Sequence, residues 1–184
     1  MILYINACVR TGSRTRRLAE AYLAKGSEQI TEVKLEEIDF PKTDEAFLKK
    51  RDNLIAAGSF DDPLFDLARQ FAEADSIVIA APYWDLSFPA SLKQYFEQIN
   101  VLGITFEYTA DGYPKGLCRA TELCYITTAG GGYCPEEFGF GYVKALAQNF
   151  YGISEVKQIR ATGLDIAGAD TEEIVAEALR NVGL

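Results

Sequence analysis

Three short runs in this chain are apolar at every position: Ile2 to Ile5, Ile77 to Ala81 and Leu123 to Ile126. A strand with one wet face alternates apolar and polar residues, so unbroken runs predict strands covered on both faces, as in a parallel sheet. Two further runs alternate. In "EVKLEEI", Val33 and Leu35 face one way while Lys34 and Glu36 face the other, and "EVKQIRA" from Glu155 does the same more weakly. Alternating strands belong at the sheet edges, where cover is thinner. Central first, third and fourth strands with the second and fifth at the edges give the order 2-1-3-4-5, a doubly wound arrangement.

Helical spacing fills the gaps. Leu64, Leu67, Ala68, Phe71 and Ala72 share one face, Leu92, Tyr95, Phe96 and Ile99 another, and Val143, Leu146, Ala147 and Phe150 a third. Asp170 and Glu173 fit a capping box that opens a last helix carrying Ile174, Val175, Ala178 and Leu179 inward. Strand and helix alternate throughout, so the class is α/β with helices on both faces of the sheet. At 184 residues the chain is expected to form one domain over 1–184. Residues 39 to 75 have room for two helices broken around Gly58 and Pro63. The aromatic "NVLGITFEYTADGYPKGL", residues 100 to 117, is expected as an excursion above the sheet.

A charge of −9 argues against nucleic acid or an anionic membrane as partner. No run nears the roughly 18 apolar residues of a membrane helix, and the cytoplasm is the expected location. The cysteines at 8, 118, 124 and 134 form no metal-ligand spacing, and reduced, mostly buried thiols are expected. The chain contains no histidine. That removes Ser-His-Asp and Cys-His catalysis and histidine metal sites, leaving chemistry to a cofactor or to carboxylate, tyrosine, lysine and backbone groups.

An open parallel sheet binds ligands beyond the carboxyl ends of its strands, where the strand order reverses. Three loops reach that point. The first, "NACVRTGSRTRRL", sets Arg10, Arg14, Arg16 and Arg17 within eight residues of an acidic chain, beside Ser13 and Thr15. A helix start exposes unpaired N–H groups and a positive dipole end, which together suit a phosphate. Arg10, Ser13, Arg14 and Thr15 are the candidate contacts, whereas Arg16 and Arg17 are expected at the surface. The second loop, "APYWDLSFP", holds Pro82, Tyr83, Trp84, Asp85 and Leu86, an aromatic turn where polar residues are usual. Its backbone N–H groups are candidates to meet a flat ligand's polar edge. The third, "TTAGGGY", offers Thr128, Ala129, Gly130 and Gly131 as a platform without side chains. A phosphate cradle, an aromatic wall and a bare platform suit flavin mononucleotide (FMN). A receiver domain shares the topology but needs a carboxylate cluster after the first strand, where this chain reads "NACVR".

The segments "GSRTRRLAEAYL", "APYWDLSFPASLKQYFEQI", "GITFEYTADGYPKGL", "ITTAGGGY" and "NFYGI" occur in family order, and the chain resembles the flavodoxin-like NAD(P)H-dependent quinone reductases and FMN-dependent azoreductases. The resemblance implies a flavodoxin-like fold and FMN as cofactor. It implies phosphate contacts at Ser13, Arg14 and Thr15, a ring-binding turn at Pro82 to Leu86 and a glycine loop at Thr128 to Gly131. It further implies NADH or NADPH as donor, a quinone or azo compound as small-molecule acceptor, and a homodimer with the acceptor pocket at the subunit boundary. Two departures stand out. Ala7 and Cys8 lie where relatives often carry a phosphate-binding serine, and Tyr133 lies where many carry a histidine. Tyr133 is therefore the candidate catalytic residue, donating a hydrogen bond or proton to the acceptor. The alternatives are a flavodoxin-like one-electron carrier and a non-catalytic flavin-binding protein.

Overall fold

The computed structural model describes residues 1–181; residues 182–184 of the expected 1–184 domain lie outside them. Five strands form the main sheet: β1 (Ile2–Asn6), β2 (Ile30–Lys34), β3 (Ser76–Ala80), β6 (Glu122–Thr128) and β7 (Glu155–Ala161). β4 (Phe106–Tyr108) and β5 (Pro114–Gly116) pair separately as an antiparallel hairpin. The main sheet is parallel with order β2-β1-β3-β6-β7, which is 2-1-3-4-5 counted over its own strands. The helices are α1 (Arg14–Leu23), α2 (Glu45–Ala56), α3 (Asp66–Glu73), α4 (Ala90–Ile99), α5 (Phe140–Leu146) and α6 (Thr171–Arg180).

The unbroken apolar runs divide by residue parity. Leu3, Ile5, Ile77, Ile79, Leu123 and Tyr125 point into one core with α3, α4 and α5. Tyr4, Val78, Ala80, Cys124 and Ile126 point into a second core with α1 and α6. Two covered faces explain why the central strands carry no polar alternation.

Three departures from the expected elements have physical causes. β2 covers Ile30–Lys34, and the "LEE" after it is a single 3₁₀ turn. Its pairing stops at Asn6↔Lys34, where β1 runs out of backbone to share. The helix after Phe140 widens into a π turn over Ala147–Tyr151, ended by Gly152 at φ 76°. The wider turn buries Tyr151, whose hydroxyl donates to Asn100 Oδ1 at 2.7 Å.

The third departure concerns residues 100 to 117. They do not rise over the carboxyl end of their own sheet. α4 starts beyond that end and, at about 1.5 Å per residue, its ten residues cover the length of a strand in reverse. The segment after α4 therefore lies at the amino-terminal end. Arg119 N–H bonds the Ala72 carbonyl, just before β3 begins. A Cβ on Gly116 would stand 2.1 Å from the Tyr151 carbonyl carbon and the Gly152 nitrogen, so the hairpin packs on the turn that leads into β7. The distant 39–75 connection does hold two helices, α2 and α3, as its spacing predicts.

Candidate functional site

At the carboxyl end of the strands lies a cavity of about 310 Å³, lined by the loops after β1, β3, β6 and β7. α1 begins there. Ser13 is its N-cap, accepting from the Arg16 N–H at 3.2 Å. The N–H groups of Arg14 and Thr15 have no partner among the described residues, as first-turn donors do not. Thr15 and Thr128 join α1 to the end of β6 through a hydroxyl–hydroxyl bond of 2.7 Å. Two hydroxyls sharing one bond leave one hydrogen over, available to a ligand in the cavity.

The four arginines divide. Arg16 bonds the Cys8 carbonyl at 2.5 Å and Glu36 at 3.3 Å, which pins the β1–α1 loop. Arg17 pairs with Glu172 on α6. Arg10 and Arg14 line the cavity. Arg14 reaches Asp165 Oδ1 at 2.6 Å.

Of the sequence-predicted residues, Arg10, Ser13, Arg14 and Thr15 come together with Pro82, Tyr83 and Trp84, and with Thr128, Ala129 and Gly130. Asp85, Leu86, Gly131 and Tyr133 do not line the cavity. A Cβ on Gly131 would meet nothing within 4 Å, whereas one on Gly130 would lie 2.0 Å from Asp165 Oδ2. Of the two, Gly130 is the one where a side chain would displace a neighbour, the carboxylate of Asp165. Tyr133 is 78% exposed on the rim. Desolvation, followed by nearby Cys134, Tyr133 and Glu137, holds the Tyr83 phenol above its ordinary value.

The loop after β3 also differs from expectation. Tyr83 N–H is spent on the Thr128 carbonyl, and Trp84 and Ser87 exchange both N–H···O bonds. Asp85 and Leu86 span that two-residue turn at φ 51° and 67°, the left-handed region. Their N–H groups are the ones in the turn without a backbone partner among the described residues.

Sequence reasoning did not include Val9, Gly12, Leu164 and Asp165 in the lining. The signal for the last two was "ATGLDIAG", which comes directly after the fifth strand at the same end of the sheet.

This topology, with its cavity at the point where strand order reverses, agrees with a profile of the family described as "Flavodoxin-like fold", which matches residues 1–183. The chain belongs to that family. Within the flavodoxin-like family it is 38% identical to the FMN-dependent NADH:quinone oxidoreductase of Lachnoclostridium phytofermentans, an alignment covering 100% of this chain and 96% of the relative. The protein of the same name from Coprothermobacter proteolyticus is 36% identical, over 97% and 94% of the two chains. In fold it is similar to an azoreductase from Bacillus anthracis, with a TM-score of 0.84 at 24% identity, covering 98% of this chain and 95% of that one.

The donor set in this flavodoxin-like cavity fits a phosphate-bearing flavin. Unpaired N–H groups at the start of α1, Arg10, Arg14 and a spare threonine hydrogen are anion donors. Gly130 presents bare backbone in the lining, and Trp84 supplies flat apolar surface. Among the described residues no group of histidine, cysteine and carboxylate side chains could hold a metal ion, and no helix is long and apolar enough to cross a membrane.

Proposed function

We propose that the protein is an NAD(P)H-dependent FMN oxidoreductase that reduces quinones, azo compounds or similar small acceptors, its single domain forming the FMN site. The observation that carries this reading is the convergence of the α1 start, Trp84 and bare Gly130 on one cavity. Relatives named FMN-dependent NADH:quinone oxidoreductase align along nearly the whole chain and support it. When bound, FMN would supply the redox chemistry, two-electron transfer between a nicotinamide and the acceptor.

The chain's own residues bind and orient. Ser13, Arg14 and Thr15, with Arg10, hold the phosphate at the helix start. Thr128, Ala129 and Gly130 let the flavin lie against backbone, and Trp84 forms a wall. Asp85 and Leu86 lie outside the lining, and their free N–H donors, in the turn next to Trp84, would serve a ring that extends past it, where donors stabilise negative charge that develops on reduction. Tyr133, on the rim, donates to the acceptor.

The acceptor side is completed by a second copy. Val9, Leu86, Tyr133, Phe138 and Ile166 are exposed apolar side chains on the four loops around the cavity. Apolar surface of this kind marks an interaction site. The hairpin carries exposed Tyr108 and Tyr113 at the opposite end of the molecule, where they are free to cover a partner's cavity. Light scattering at micromolar concentration should give twice the chain mass; a stable monomer that binds FMN would count against this arrangement.

The deciding experiment is anaerobic addition of NADH, then of NADPH, to the FMN-loaded protein, with benzoquinone added last. Bleaching of the flavin absorbance by a nicotinamide and its catalytic return with the quinone are expected. Flavin that neither nicotinamide reduces would overturn the reading.

A further inference from the structure

We propose that Asp165 is a tethered anion that competes with a ligand's phosphate for Arg14, and so sets how tightly the cavity holds a phosphate-bearing ligand. This rests on the cofactor reading above and concerns a residue that reading does not use.

The backbone places Asp165. Gly163 N–H bonds the Gly131 carbonyl at 2.9 Å, Leu164 bonds Ala129 at 3.3 Å and Asp165 bonds Gly130 at 2.9 Å. The loop after β7 is thus zipped onto the glycine loop after β6. The side chain then lies on the bare face of Gly130, with Cγ 2.9 Å from where a Cβ would be. From there Oδ1 reaches Arg14 at 2.6 Å. A carboxylate, with the charge sign and acceptor chemistry of a phosphate oxygen, already occupies the cation at the α1 start.

The charges facing this carboxylate are few. Arg10 and Arg14 come from the first loop, and among the described residues Asp165 is the one acidic side chain lining the cavity. An arriving phosphate must take Arg14 from Asp165, and that costs affinity because the pair is broken. Displacement is feasible. The side chains of Asp165 and Arg14 are 66% and 37% exposed, so the carboxylate can turn to solvent. The penalty scales with ligand charge: it falls on FMN and spares riboflavin.

The test compares FMN and riboflavin binding by flavin fluorescence quenching in wild type, Asp165→Asn, Arg14→Ala and the double variant. Asp165→Asn keeps the shape and an acceptor for Arg14 while removing the charge. FMN should bind about five-fold tighter to Asp165→Asn, with riboflavin changed by less than about two-fold. The gain should vanish in the Arg14→Ala background. Unchanged or weaker FMN binding in Asp165→Asn would overturn the proposal, since the carboxylate would then be positioning Arg14 for the phosphate. An equal gain for riboflavin, or an undiminished gain without Arg14, would overturn it too. These outcomes leave the cofactor reading intact. Wild type that binds neither flavin would overturn both.

Discussion

The hydroxyls of Thr15 and Thr128 lie 2.7 Å apart in the floor of the cavity, joining the start of α1 to the end of β6 across a separation of 113 residues. Both residues are buried. Thr15→Val leaves the Thr128 hydroxyl buried without its partner, which costs roughly 1–3 kcal/mol, whereas Thr15→Val with Thr128→Val removes both polar groups and costs less than the sum. Urea unfolding of the apo protein would measure the cycle. Additive losses would show that the two hydroxyls are satisfied independently.

Arg14 is expected to contribute a charge-assisted hydrogen bond to the phosphate, so Arg14→Ala should weaken FMN about ten-fold or more. Riboflavin has no phosphate and should be nearly indifferent. Fluorescence titration of both flavins checks this, and equal losses for the two would remove Arg14 from the phosphate site.

Gly130 and Gly131 should respond oppositely. Valine at 130 puts carbon where the Asp165 carboxylate now rests, so that side chain must shift at the cavity wall. Valine at 131 meets open space. Gly130→Val is expected to lower flavin retention about ten-fold while circular dichroism remains native, and Gly131→Val to retain the cofactor. The reverse result would return the platform to Gly131.

The contrast between these two glycines marks what was legible in the sequence. That Ser13 to Thr15, Tyr83, Trp84 and Thr128 to Gly130 gather at one end of the sheet was readable because each lies in the stretch that follows an apolar run, and strand ends locate loops. Which glycine touches anything was not readable, because it depends on hydrogen bonds between two loops whose sequence separation is large. Asp165 went unread for the same reason: its meeting with Arg14 exists only once β7 has taken its register on β6. The hairpin is different. Its place at the amino-terminal end results from the length of α4, which is simple geometry. Its aromatic composition pointed to the site end instead. The alternation in "EVKLEEI" continued past Lys34 because Leu35 is still buried, although no strand neighbour remains to pair with.

The burial of ionisable groups fixes the alkaline limit of the fold. Desolvation raises the phenols of Tyr4, Tyr95, Tyr125 and Tyr151 and pushes the thiols of Cys118 and Cys124 up to about 12. Each group is raised in the folded state, so its contribution to stability is complete below its unfolded value, about 10 for tyrosine and 8.5 for cysteine. Above those values the unfolded chain releases protons that the folded chain keeps, and stability falls as pH rises. The apo protein should therefore unfold cooperatively above about pH 10, with tyrosinate absorbance rising together with loss of circular dichroism. Full tyrosinate formation in a still-native protein would contradict the burial of these rings.

The turn after β3 separates an enzyme from a one-electron carrier. Trp84 and Ser87 close it with bonds of 3.1 and 2.7 Å, so Asp85 and Leu86 occupy the two left-handed positions of a type I′ hairpin turn. Glycine or asparagine is usual there. For other residues the left-handed conformation costs roughly 1–2 kcal/mol each, a strain held here by the surrounding bonds. Tyr83 N–H is tied to Thr128, and the Ser87 hydroxyl donates to the Phe138 carbonyl at 2.6 Å. Flipping the Asp85–Leu86 peptide would keep both rungs but put Asp85 at the first position of a type II′ turn, a conformation open to glycine, so the turn cannot easily exchange an N–H donor for a carbonyl acceptor between oxidation states. A carrier needs that exchange, whereas a hydride-transferring enzyme is served by fixed donors. The FMN-loaded protein should take up its two electrons together in an anaerobic dithionite titration. Asp85→Gly should relax the strain and free the flip, with stability changed by no more than about 1 kcal/mol because the lost strain offsets glycine's greater unfolded-state entropy. It should also spread the two electrons into separate steps. Separate, well-resolved steps in the wild type, with no direct reduction by NADH or NADPH, would assign the protein to electron carriage.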